Sequence, residues 1–217
     1  MSRPVLGHGA GGLSDHTGPD GVEQPDLSLG TLLRKAASTT DPERRWWSPS
    51  ALERIITRQR LIDQLSAHVA TRYDAEARAD RIIHDSLKVF AALTLKDKQD
   101  QIYKLIDGGV TDKILPLELG EDSSKILSNG RPLSCFDDWS KDDRETFITR
   151  LKQVNPVILG SKSHKNIKHE VFQRSQILPI LEETFHSLQG GYGQVTQVKL
   201  DPECHNFHGV LPSVSTH

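Results

Sequence analysis

The sequence predicts a mainly α-helical body, a short antiparallel β hairpin near the carboxyl end, and a disordered amino-terminal arm. Three observations carry this. Apolar residues recur at three- and four-residue steps through most of residues 50–155. Strand-like runs then flank a glycine cluster, Gln189-Gly190-Gly191-Tyr192-Gly193-Gln194-Val195. The first 26 residues, by contrast, hold six glycines and three prolines. They carry too little apolar surface to offset the entropy of ordering.

Taken in order, residues 1–26 read as the arm. Gly7-His8-Gly9-Ala10-Gly11-Gly12 lacks the Gly-Lys-Ser/Thr ending and the preceding strand of a phosphate loop. Residues 27–49 read as a linker with one short helix. Asp26 is the expected cap, Leu27, Leu29, Leu32 and Leu33 supply its contacts, and Gly30 weakens it. The Trp46-Trp47 pair is expected to bury in this chain's own core. Residues 50–155 form the helical domain. One helix is expected over 51–69, with Leu52, Ile55, Ile56, Leu61, Ile62, Leu65 and Val69 inward. A second is expected from about Asp74 to Leu95, with Ile82, Ile83, Leu87, Phe90 and Leu93 as its stripe. A third spans Lys96–Asp107 and stops at Gly108-Gly109. Residues 116–134 are turn-rich and end in Asn129-Gly130-Arg131-Pro132. Ser140 then caps a further helix, in which Asp142, Asp143 and Glu145 complement the positive helix start and Phe147, Ile148 and Leu151 face inward.

Composition bounds the function. The 217 residues suit one domain of ordinary size or a small domain with a tail. Hydrophobic residues are 35% and mean hydropathy is −0.47, so part of the chain is expected to stay outside any core. A net charge of −2 and a pI near 6.5 argue against nucleic acid as a partner. No apolar run approaches the roughly 20 residues of a membrane span, and the start lacks the apolar stretch of a signal peptide. Two cysteines, Cys135 and Cys204, suggest no disulfide framework, so an intracellular, reducing setting such as the cytoplasm is the expectation.

Candidate chemical groups elsewhere have simpler readings. His68 and His84 have no second ligand at metal spacing. Helix-start electrostatics accounts for Asp142/Asp143 without chemistry, and Asp137/Asp138 are likewise read as structural. Cys204-His205-Asn206-Phe207-His208 offers three ligands where a closed zinc site needs four, so a solvated loop is expected there and no metal.

Residues 156–176 read as a basic linker through Lys162, Lys165, Lys168 and His169, and residues 177–208 carry the functional signal. Ile177–Leu181 and the residues after it lead into the glycine cluster, and Thr196–Leu200 leaves it as a second strand. Glycines at a hairpin tip let backbone amides approach an anionic ligand. Alternation puts Val198 and Leu200 on one face and Val195 on the other. That arrangement suits a valine covering the flat face of a base while the opposite face packs inward. Residues 209–217 are a tail.

The run resembles the glycine-rich nucleotide-binding loop of protein kinases, Gly-x-Gly-x-aromatic-Gly-x-Val. By resemblance the ATP-contacting residues are Gly190 (second glycine), Gly191, Tyr192 (the aromatic), Gly193 (third glycine) and Val195. Leu188 stands where the first glycine belongs. More widely, residues of about 50–207 resemble filamentous-fungal serine/threonine kinase-like proteins with a helical segment ahead of the kinase domain. The likeness is specific from about residue 135 onward. It is carried by Phe136-Asp137-Asp138-Trp139-Ser140, Asn155-Pro156-Val157-Ile158, Ile177-Leu178-Pro179-Ile180, the glycine loop, and Asp201-Pro202-Glu203-Cys204-His205-Asn206-Phe207.

Phosphoryl transfer needs a phosphate-pairing lysine on the third strand, its helix glutamate, a catalytic-loop aspartate and a metal-binding aspartate, with Mg²⁺. Only 22 residues follow Val195, Lys199 sits too close to the loop to be that lysine, and no His-Arg-Asp or Asp-Phe-Gly occurs. The sequence is therefore expected to be the amino-terminal portion of a kinase-like protein, with no catalytic residues of its own. Mg²⁺ would enter only with a catalytic lobe. The alternatives are a helical module that binds an unidentified protein partner and keeps a relic hairpin, or a poorly folded fragment with exposed strand edges.

Overall fold

The computed structural model describes residues 27–39, 44–66, 71–160, 171–173, 175–190 and 193–207. For 185–190 and 193–195 it describes the backbone alone. The expected arm, the basic residues Lys162, Lys165, Lys168 and His169, His68 and the tail lie outside these residues. Among them stand seven α-helices and short antiparallel strands, the predicted class.

Helix α1 (Leu29–Lys35) is capped by Ser28, whose hydroxyl accepts from the Thr31 amide at 3.3 Å. The expected cap, Asp26, falls outside the described residues; Ser28 is three residues before Thr31, the spacing a cap requires. Two short strands, β1 (Ser38–Thr39) and β2 (Arg45–Trp46), pair antiparallel. They deliver both tryptophans inward at 1% and 2% exposure. Trp47 Nε1 donates to the Leu33 carbonyl at 2.8 Å, which ties the linker to α1 and satisfies the polar end of a buried ring.

The single helix expected over 51–69 is two in the described part: α2 (Pro49–Ile55) and α3 (Arg58–Ser66). Thr57 and Arg60 break it. The Thr57 hydroxyl accepts from the Arg60 amide at 3.4 Å, and Arg60 Nη1 covers the free Ile55 carbonyl at 2.9 Å. The second expected helix also divides, into α4 (Arg72–Asp85) and α5 (Leu87–Leu95). Ser86 lies between them and makes no side-chain cap. Asp112 supplies it from a distance, accepting from the Lys88 and Val89 amides at 2.9 and 3.1 Å. Turning the chain there leaves Ile83 37% exposed, off the stripe it was expected to join. Of the third helix only α6 (Ile102–Asp107) is α-helical, preceded by a 3-10 turn at Gln99–Gln101. Gly109 closes the segment at φ +81°.

The turn-rich stretch is a small sheet of β3 (Glu118–Leu119), β4 (Ile126–Ser128) and β5 (Arg131–Pro132). Asn129 (φ 49°) and Gly130 (φ 75°) form its two-residue turn. Both residues are left-handed, as such a turn demands. Nothing lies within 4 Å of a Cβ built on Gly130. Gly130→Ala therefore meets backbone strain alone and is expected to cost about 1 kcal/mol, read as a lower urea midpoint at unchanged slope.

Helix α7 (Lys141–Gln153) begins as expected, with the Ser140 hydroxyl accepting from the Asp143 amide at 3.1 Å. Phe147, Ile148 and Leu151 are buried and pack across α5. A contiguous apolar cluster runs from Leu29 to Val154 and defines the helical body. Arg144 is buried with it and donates to the carbonyls of Ser123 and Trp139, fixing the loop between β3 and β4 to α7.

Strands β6 (Ile180–Gly190) and β7 (Gly193–Leu200) form a separate antiparallel hairpin. A 3-10 turn at Pro202–Cys204 follows, capped by Asp201 and opened by Pro202.

Candidate hairpin site

The hairpin closes where the glycine spacing placed its tip. Gly190 pairs with Gly193 and Gln189 with Gln194. The two residues between, Gly191 and Tyr192, lie outside the described residues. The register breaks between Phe185 and Gln189, where β6 takes four steps against two on β7. Leu188, at the first-glycine position, falls in that break, and Val195 stands opposite it on β7. A second irregularity lies between Ile180 and Glu182, nearer the base.

The expectation that one hairpin face packs inward does not hold for the described side chains. Val198 is 40% exposed, and Glu182, Glu183, Thr184, Gln197 and Lys199 are exposed as well. Both faces are polar because charged and polar residues occupy consecutive positions on each strand. Lys199 is not poised toward the tip; its ammonium pairs with Glu182 at 2.6 Å across the strands.

The segment after β7, expected as a solvated loop, is docked instead. Leu159 and His205 form a parallel bridge, with the Leu159 amide donating to the Cys204 carbonyl at 3.0 Å. Cys204 is fully buried, and that burial, with Asp201 and Glu203 nearby, pushes its thiol up to about 12. A thiol so held carries little thiolate at neutral pH and is a poor nucleophile. His205 is half-buried and stacks on Phe207 at 5.4 Å; His208 lies outside the described residues. Among the described residues no three His, Cys, Asp or Glu side chains converge on a point that could hold a metal ion.

The remaining candidates sit in ion pairs. His84 is exposed and lies 3.0 Å from Asp85. Asp137 pairs with Lys125 at 2.7 Å and Asp138 with Lys104 at 2.5 Å. Asp143 joins Lys96 at 2.8 Å and Lys98 at 3.0 Å. The aspartate–lysine pairs tie the turn after α5, helix α6 and the loop before β4 to α7 and the segment just ahead of it.

The sequence reading missed the residues that hold the hairpin: Trp46, Ser48, Arg54, Asp201 and Glu203. Trp46 Nε1 donates to Asp201 Oδ2 at 2.8 Å, Ser48 Oγ donates to Glu203, and Arg54 reaches Glu203 at 3.4 Å. The Ser48 hydroxyl, with Ser50 and Arg54, holds the Glu203 carboxyl below its ordinary range. Asp201-Pro202-Glu203 carried a legible signal, a capping acid followed by proline and a second acid.

No helix among the described residues is long and apolar enough to cross a membrane. No family model matches the chain, and neither the curated proteins nor the solved structures contain a significant match.

Proposed function

We propose that β6 and β7 are a kinase-like glycine-rich hairpin with weak affinity for ATP, carried on a helical body, and that these 217 residues transfer no phosphate alone. The reading is supported by one observation above others: Gly190 pairs with Gly193. This puts the second and third glycines of the loop pattern on either side of a two-residue tip, with the aromatic position within it. Backbone amides without side chains at a tip suit contact with phosphate. Nothing in the sequence supplies the charges that should face them.

The affinity is expected to be no tighter than about millimolar, because a lone hairpin buries little ligand. Titrating ATP with Mg²⁺ into the isotopically labelled chain should move the Gly190 and Gly193 amide resonances, without saturation below about 1 mM. Shifts confined to the helical body, or none, would reject the nucleotide reading. Incubation with Mg²⁺-ATP and generic kinase substrates should give no labelled product; labelling that survives stringent purification would overturn the inactive assignment.

A second reading, a helical module that binds a protein partner, is favoured by an open groove of about 750 Å³ beside α7. Leu117, Leu119, Ile148, Leu151 and Val157 line it. A partner that is lost on Leu119→Asp while the hairpin resonances stay in place would favour this reading.

A further inference from the structure

Trp46 and Cys204 are 1% and 0% exposed, yet neither belongs to the apolar cluster of the helical body. They mark a separate seam where the base of the hairpin meets α2 and the strand before it. Polar contacts cross the seam. Besides the Trp46–Asp201 and Ser48–Glu203 hydrogen bonds, Arg54 lies 3.4 Å from Glu203 and Arg44 lies 3.9 Å from Glu183. Every acid comes from the hairpin side and both arginines from the body. The extended stretch after α7 travels with the hairpin. Val157 donates to the Ile177 carbonyl, and Asn206 donates to that of Leu159, each at 3.0 Å.

Opening such a seam removes little from the body. Of the described side chains of β6 and β7, only Ile180, Leu181, Thr196 and Leu200 are half-buried, and none is fully buried. The two ion pairs are well solvated, with Arg54 and Arg44 side chains 64% and 72% exposed, so each contributes little and salt screens it. The apolar cluster of the helical body is built without Trp46, Cys204 or any residue of β6 and β7. Segments with few buried apolar contacts are the ones that open locally below the global unfolding free energy.

We propose that residues 177–190 and 193–207, together with 157–160, undock from the helical body as a unit while the body stays folded, and that Asp201 and Glu203 set this equilibrium. Undocking uncovers Trp46, parts Arg44 and Arg54 from their acids, and frees the glycine-rich hairpin to reorient. The device stands whether or not the hairpin contacts nucleotide.

Cys204 reports on it. Docked, the thiol is buried; undocked, it titrates near the ordinary cysteine value of about 8.5 and attacks an aromatic disulfide reagent. The Cys204 thiolate then forms a mixed disulfide, the reagent's S–S bond breaks, and one coloured aryl thiolate leaves per chain. The experiment uses the full chain with Cys135→Ser, so that Cys204 is the sole thiol.

Labelling is expected to be slow in buffer and to accelerate at least about twofold from low to high salt. It should accelerate at least about tenfold in Asp201→Ala or Glu203→Ala, with the helical circular dichroism unchanged. Its dependence on urea should be much shallower than that of global unfolding, since little surface is exposed. Labelling that follows the global urea slope would overturn the proposal, as would rates indifferent to both substitutions. Should either variant fail to fold, the urea slope of the Cys135→Ser chain decides alone: shallow supports undocking, steep rejects it.

Discussion

Phe147→Ala is expected to destabilise the protein by about 3–5 kcal/mol, the range for emptying a large aromatic site. Phe147 is fully buried. Its ring lies 5.5 Å from Phe136 and 5.4 Å from Trp139, and those two meet edge to face at 5.1 Å and 87°. Such pairs contribute roughly 0.5–1.5 kcal/mol beyond the area they bury. The surroundings cannot collapse into the space. The Trp139 carbonyl is bound by Arg144, and Lys98 sits 5.2 Å over the Trp139 ring. Folded chains retain only about 5–15 kcal/mol, so the loss is a large fraction of the total. Urea unfolding should show a much lower midpoint at unchanged slope, with Phe147→Leu recovering more than half of the difference. A loss below about 1 kcal/mol would mean that the aromatic cluster relaxes freely.

What the sequence made legible follows from where each decision is taken. Helix faces are local: Leu52, Ile55, Leu61, Ile82, Phe90, Phe147 and Leu151 are buried as their spacing requires. The Ser140 cap and the Gly109 stop were legible for the same reason. The breaks at Ile56 and Ser86 were not: the first rests on the local contacts of Thr57 and Arg60, the second on a distant partner. Asp112 lies 24 residues from the Lys88 amide it caps. One trace did exist, since the step of five from Ile56 to Leu61 slips the helical phase. The hairpin tip was legible from the glycines alone. Its open faces were misread, since one face was expected to pack inward although the adjacent acids Glu182 and Glu183 put a charge on each. The seam was not legible, because it joins residues 155 apart, Trp46 to Asp201 and Ser48 to Glu203.

Asp143→Asn is the second large effect, and its pH dependence separates charge from shape. Asp143 receives Lys96 at 2.8 Å and Lys98 at 3.0 Å, and the Lys96 side chain is only 8% exposed. The Lys96 ammonium holds the Asp143 carboxyl well below the usual carboxylate range against the opposing effect of burial, with Lys98 and the Ser140 hydroxyl adding to it. Asparagine keeps the shape and the position in the first turn of α7 but leaves two ammonium groups without their anion, one of them buried. A loss of about 2–3 kcal/mol is expected at pH 7, between the ~0–1 of exposed pairs and the ~3–5 of broken buried ones. Because the folded-state pKa is depressed, the wild-type advantage is complete above the unfolded aspartate value of about 4. It shrinks as pH falls below that value and vanishes once the folded carboxyl is protonated. The gap between wild type and Asp143→Asn, measured by urea unfolding, should thus be constant from pH 8 to about pH 5 and clearly smaller at pH 3. A gap of the same size at pH 3 would assign the loss to packing at the start of α7, and the two lysines would then owe nothing to the charge they surround.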